Sequence, residues 1–164
     1  MDCLEIIKTR QSIRKYKSDP ISAEIIKQIV DAGRLAPTGN NVQPWEFIIV
    51  TNQEKRNRLA EITEYGKFIK DAPVCIVLIS KDVKYYIEDG SAAVENIMLA
   101  AWHFGVGSCW VAGDKKPYTQ DILNLFEVPD GYKLVATISL GYPLEIPSRA
   151  KKRILGEVIH WENF

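Results

Sequence analysis

Hydrophobic and polar positions along the chain switch repeatedly between helical and extended spacing. Leu4 and Ile7 share one face of a short opening helix that runs to about Thr9. Ile25, Ile26, Ile29 and Val30 form the apolar stripe of a second helix from Ala23 to about Leu35, with Ser22 as its N-cap and Glu24 in its first turn. Two prolines, a glycine and two asparagines between Pro37 and Pro44 end that helix and turn the chain into a strand over 46–51. Thr51 or Asn52 caps a third helix through about Ile62. After Ala72-Pro73, the unbroken apolar run Val74 to Ile79 reads as a strand buried on both faces.

A short segment, 81–88, leads to a helix from about Asp89 to Phe104. Its Gly90, Ser91, Ala92, Ala93, Ala100 and Ala101 permit close packing, so it must be buried on more than one side. Gly105 stands where a helix C-cap is expected, and Gly107 allows a tight turn into a strand. Residues 118–127 predict a helix, Pro129-Asp130-Gly131 a turn, and Leu134 to Leu140 a strand closing on Gly141-Tyr142-Pro143. Trp161 and Phe164 make the tail apolar, and it should dock on a protein surface, such as that of a partner subunit.

Length and composition narrow the class. At 164 residues and 46% hydrophobic content, residues 1–164 suit one domain burying roughly 70% of its unfolded surface. The 21 basic and 21 acidic residues balance, which argues against nucleic acid or an anionic membrane as a partner. No apolar stretch approaches the roughly 20 residues that span a bilayer. Cys3, Cys75 and Cys109 are odd in number and widely spaced. That predicts neither a metal knuckle nor a disulfide framework, and a reducing cytoplasm fits best.

Candidate chemistry concentrates in separate stretches. The loop Pro37-Thr38-Gly39-Asn40-Asn41-Val42-Gln43-Pro44-Trp45 presents a hydroxyl, three carboxamides, approachable backbone at Gly39 and an indole, a set suited to a flat, heteroatom-rich ligand. In Arg10-Gln11-Ser12-Ile13-Arg14, an extended backbone would put Arg10, Ser12 and Arg14 on one face with Ile13 pointing away, a grip for an anion or polar ring. Gly105-Val106-Gly107 lacks the strand–GxGxxG–helix order of a dinucleotide fold. Cys109 has no nearby histidine signature, since His103 and His160 are the only histidines. Neither catalytic triad nor metal cluster is expected.

These stretches together resemble the FMN-dependent nitroreductase family. Ala36-Pro37-Thr38-Gly39-Asn40-Asn41-Val42-Gln43-Pro44-Trp45 is similar to that family's Ala-Pro-Ser-x-x-Asn-x-Gln-Pro-Trp loop, the segment at Arg10 to its Arg-Arg-Ser-x-Arg signature, and Gly105 to Trp110 to its Gly-x-Gly-Ser-Cys-Trp segment. Val128-Pro129-Asp130-Gly131-Tyr132-Lys133-Leu134-Val135-Ala136 followed by Leu140-Gly141-Tyr142-Pro143 also matches.

The resemblance implies a nitroreductase-like α+β fold, a central mixed or antiparallel sheet flanked by helices, in an intertwined homodimer. The helix from Asp89 would form part of the dimer interface. The resemblance also implies FMN at the subunit interface, bound by Arg10, Ser12 and Arg14, by Pro37, Thr38, Gly39, Asn41 and Gln43 of the other subunit's loop, by backbone at Trp110, Val111, Ala112 and Gly113, and by Lys151 and Arg153 at the phosphate. Gln11 replaces the family's usual second arginine. NAD(P)H would deliver hydride to the flavin for transfer to an electron-poor acceptor, with no catalytic side chain required. A flavin-binding or sensing protein, or another reaction on this scaffold such as reductive dehalogenation or flavin fragmentation, remains open. Longer members of that family insert helices over the flavin where residues 81–88 are short, so the resemblance implies an open pocket with broad specificity.

Overall fold

A computed structural model of the chain describes residues 2–164. Helix α1 (Cys3–Thr9) begins at Asp2, whose carboxylate accepts the Glu5 N–H, and α2 (Ala23–Arg34) begins at Ser22, whose hydroxyl accepts the Ile25 N–H. Strand β1 (Trp45–Val50) leads into α3 (Gln53–Ile62), capped by Asn52 rather than Thr51. Then follow β2 (Val74–Lys81), α4 (Tyr86–His103), β3 (Gly107–Ala112), α5 (Thr119–Leu125) and β4 (Tyr132–Gly141).

The four strands form one sheet in the order β1-β2-β4-β3, with every neighbouring pair antiparallel. Of the two arrangements the resemblance allowed, the antiparallel one is found. The apolar run of β2 is central, and the two-residue period divides it between two cores. Val74, Ile76 and Leu78 pack in a cluster with Ile26 and Ile29 of α2 and Val94 and Ile97 of α4. Cys75, Val77 and Ile79 pack on the opposite face with Leu59 of α3 and Ile122 of α5. Helices therefore cover both faces.

Several boundaries differ from the sequence reading for identifiable reasons. Helix α4 starts at Tyr86 rather than Asp89, because the Tyr85 carbonyl already accepts the Asp89 N–H. Helix α5 stops at Leu125: Glu127 turns left-handed (φ 53°), and Val128 donates to Leu123 O while Glu127 donates to Asn124 O. The same closure ends α4, with Gly105 at φ 71° in the expected C-cap role. Gly107 makes no turn; its missing side chain leaves room for Ile13, whose Cγ1 would lie 2.6 Å from a Cβ there. Trp45 is buried in the core beside α2 and α4 and offers no face to a ligand.

The tail leaves this framework. Leu144 N–H donates to Lys15 O and Glu145 pairs with Lys15, but residues 144–164 are exposed throughout, Trp161 at 83% and Phe164 fully. Its apolar side chains find no cover within the chain.

Candidate functional site

The site grows from the connection after α1. Arg10 caps that helix, its N–H donating to Ile6 O, and Trp102 of α4 donates from Nε1 to Thr9 Oγ1, which anchors the helix end. The chain then runs extended: Ser12 bridges to Ser108 of β3 in parallel, and Ile13 N–H donates to Ser108 O at 2.9 Å. Ile13 is fully buried with Tyr16, Ala72 and Trp102, so Arg10, Ser12 and Arg14 are turned the other way. The expected alternation is what the packing enforces.

All three residues act on Cys109 of β3. Burial raises the Cys109 thiol pKa, against the opposing pull of the Arg14 charge, a Ser12 hydrogen bond and the Arg10 charge. Cys109 is therefore an inert wall. Two polar atoms here are buried with no partner: Arg10 Nη1 and Ser108 Oγ. Buried donors normally find acceptors, so a guanidinium nitrogen held this way suits an anionic oxygen. The nearest carboxylate pairing of Arg10 is a long one, Nε to Glu95 Oε1 at 3.8 Å.

Beside this group lies a cleft of about 430 Å³ lined by Arg14, Tyr65, Phe68, Cys109, Trp110, Val111, Ala112, Lys116 and Tyr118. Tyr65, Phe68, Trp110 and Tyr118 make part of its wall aromatic, Arg14 and Lys116 add positive charge, and the Arg14 guanidinium sits 5.8 Å from the Phe68 ring centroid. Gly113 closes the strand where a side chain would strike Leu134. Tyr65, Phe68, Lys116 and Tyr118 carried no local signal in the sequence; only the fold brings the 65–68 and 116–118 segments to β3. A larger hollow, about 850 Å³, opens on the other side of Arg14. Its buried Arg56 is engaged by the Ala72, Lys70 and Thr51 carbonyls and by Gln53 Oε1, and it ties α3 to the start of β2.

None of Pro37, Thr38, Gly39, Asn41 or Gln43 lines the cleft of its own chain. Their loop forms a separate, tightly specified unit. Asn40, Asn41 and Gln43 all sit at positive φ (53°, 55° and 50°), Gln43 N–H donates to Thr38 Oγ1, and Gln43 Nε2 donates to Asn41 Oδ1. Left-handed backbone at three non-glycine positions costs energy that surrounding contacts must offset. The approach at Gly39 is taken by Tyr85, whose Cδ2 would lie 2.7 Å from a Cβ. Lys151 and Arg153 stand apart as well: Arg153 is held by Glu157, and the single chain does not bring either residue to Arg10. Among the described residues no cluster suits a metal ion, and no helix is long and apolar enough to cross a membrane.

Comparison with known proteins agrees with this geometry. A family model described as "Nitroreductase family" matches residues 7–65 and 63–142. A Methanothermobacter thermautotrophicus protein named "Putative NADH dehydrogenase/NAD(P)H nitroreductase" is 38% identical over 153 residues, covering 90% of this chain and 80% of its own length. The solved structure of an FMN-dependent nitroreductase from Clostridium difficile superposes with a TM-score of 0.91 at 32% identity, covering 98% of this chain and 99% of that one. The crystal structure of a "Putative NADH dehydrogenase/NAD(P)H nitroreductase" from Parabacteroides distasonis superposes with a TM-score of 0.94 at 31% identity over 99% and 98% of the two chains. With its antiparallel sheet, its cleft on β3 and a match over most of its length, the chain belongs to the nitroreductase family.

Proposed function

We propose that this protein is an FMN-dependent oxidoreductase that takes hydride from NAD(P)H and reduces an electron-poor acceptor, working as a homodimer with FMN at the subunit interface. The observation that carries the reading is Arg10 Nη1, buried without a partner two residues before the Ser12–Ser108 bridge, in the segment whose Arg14 lines the cleft on β3. These residues fit the group: a cation at Arg10 Nη1 with room for an anionic oxygen, and a cleft walled by Tyr65, Phe68, Trp110 and Tyr118 with strand backbone along it. Arg10 and Ser12 would hold the phosphate end, and Arg14 would stand at the ring edge, where its charge favours the reduced, anionic ring. Trp110, Val111, Ala112 and Gly113 would line the ring with main chain. When bound, the flavin supplies the redox chemistry by accepting hydride from NAD(P)H and then reducing a nitroaromatic, quinone or similar acceptor in a ping-pong cycle.

What one chain leaves uncovered supports the dimer. Ile154, Leu155, Trp161 and Phe164 are exposed, and a partner's surface would cover them. The Pro37–Gln43 loop, ordered but turned from its own cleft, would complete the partner's site, and Lys151 and Arg153 would reach the phosphate once the tail docks. Charge-assisted hydrogen bonds of about 1.5–3 kcal/mol each would then retain the cofactor without a covalent link. The test is the visible spectrum of purified, dialysed protein before and after anaerobic addition of NADH or NADPH. Oxidised-flavin bands that bleach support the proposal. Bands that persist favour a sensing role, and a colourless protein that takes up no added FMN refutes it.

A further inference from the structure

We propose that the first turn of α4 is a clamp between the Thr38–Gln43 loop and the exit of β3, with Asp89 and Tyr86 as positioning residues for the cofactor site; this rests on the FMN reading above. Asp89 is only 6% exposed, and no lysine or arginine among the described residues pairs with it. A buried carboxylate needs donors. The helix N-terminus is one source of compensation, and the Gly39 N–H, donating to Asp89 Oδ1 at 2.9 Å, is the other. Tyr85, four residues earlier, packs against Gly39 closely enough that any side chain there would collide with its ring. The loop is therefore gripped by charge and by shape at one residue.

The same turn reaches the opposite wall. Tyr86 donates its hydroxyl to Asp114 Oδ1 at 2.6 Å, in the turn just past Gly113. Gly90 sits on Val135, whose Cγ2 would be 2.8 Å from a Cβ there. Val135 is the unpaired residue of a bulge in β4, since Leu78 pairs with Ala136 and Ile79 with Leu134. Its carbonyl accepts the Gly113 N–H at 3.1 Å. Residues 85–90 thus hold the loop on one side and the end of β3 on the other. On that reading the loop would serve the partner's flavin and β3 its own, so this one turn would hold elements of both sites.

The experiment is titration of apoprotein with FMN, read by flavin fluorescence quenching, together with hydrogen exchange at the Gly39 amide. Asp89→Ala is expected to weaken FMN binding about tenfold, equivalent to about 1.4 kcal/mol. Asp89→Asn keeps an oxygen that accepts from Gly39 and is expected to bind within about threefold of wild type, whereas Tyr86→Phe weakens binding by about threefold. The Gly39 amide should be protected in wild type and exchange freely in Asp89→Ala while α2 and α4 amides keep their protection. Unchanged FMN affinity in Asp89→Ala, or an unprotected Gly39 amide in wild type, overturns the clamp. If Asp89→Ala does not fold, the wild-type Gly39 amide and Tyr86→Phe decide. A wild-type protein that binds no FMN defeats the cofactor reading instead, and the clamp then stands or falls on the Gly39 amide.

Discussion

Ile13 and Gly107 form the joint that seats the Arg10–Arg14 segment on β3, and a double-mutant cycle between them measures it. In Gly107→Ala the new methyl would meet Ile13 Cγ1 at 2.6 Å and Cβ at 2.7 Å, closer than packed carbons approach. Ile13 is fully buried and its N–H is committed to Ser108 O, so the strain has no easy outlet. Overpacking of this kind costs about 1–3 kcal/mol. Ile13→Ala loses about 2–5 kcal/mol by vacating a buried site. In the double variant the contact with Ile13 Cγ1 is gone but the Cβ at position 13 stays 2.7 Å from the methyl at 107, so only part of the overpacking is relieved and a coupling of about 0.5–1 kcal/mol in favour of the pair is expected. At roughly 3 °C per kcal/mol for a chain of this size, both single variants shift the melting temperature measurably. Circular dichroism melts of the apoproteins at one fixed concentration test this. Strictly additive losses, or a Gly107→Ala variant that melts with wild type, would refute the packing argument.

Three other outcomes are expected. Burial raises the Tyr16 pKa above its ordinary 10.0, so the phenol stays protonated in the folded chain after the unfolded chain has released its proton; stability from this group is complete below pH 10 and declines above it, by up to about 1.4 kcal/mol per pH unit. The Cys75 thiol, pushed up to about 12 by burial, adds a decline that begins near pH 9, and Tyr16→Phe should flatten the slope above pH 10 in urea titrations, an unchanged slope refuting the assignment. Of the three thiols, exposed Cys3 should react rapidly with a disulfide reagent while buried Cys75 and Cys109 stay silent until denaturation; rapid reaction of a second thiol counts against the structure around β2 and β3. Removing residues 148–164, all exposed, should leave the far-ultraviolet spectrum and cooperative melting intact but abolish dimerisation and FMN uptake, as light scattering and absorbance would report; full-length behaviour in the truncated chain refutes the proposed role of the tail.

Much of this was legible in local sequence. The caps at Ser22 and Asn52, the C-cap at Gly105 and the buried run of β2 are all signals in which a few adjacent residues decide the backbone. The alternation in Arg10–Arg14 was legible for the same reason, because a two-residue period needs only an apolar Ile13 to orient it. Signals failed where the deciding partner was distant. Trp45 follows an exposed polar loop and so looked available to a ligand, but α2 and α4 enclose it. Gly107 looked like a turn glycine, yet what requires it is the side chain of Ile13.

The sequence by itself determined the order of elements and the stretches where chemistry concentrates, because helix periodicity, capping and turn residues act through neighbours along the chain; the α+β class came only with the resemblance. It also carried the resemblance that the family match bears out. Only the tertiary structure decided the antiparallel order β1-β2-β4-β3, the aromatic wall from residues 65–68 and 116–118, and the role of Asp89, which reads as an ordinary first-turn acid until Gly39 is brought to it across 50 residues. Those features arise from pairing and packing between segments far apart in the chain, and no short-range pattern encodes which distant backbone group will meet a given side chain.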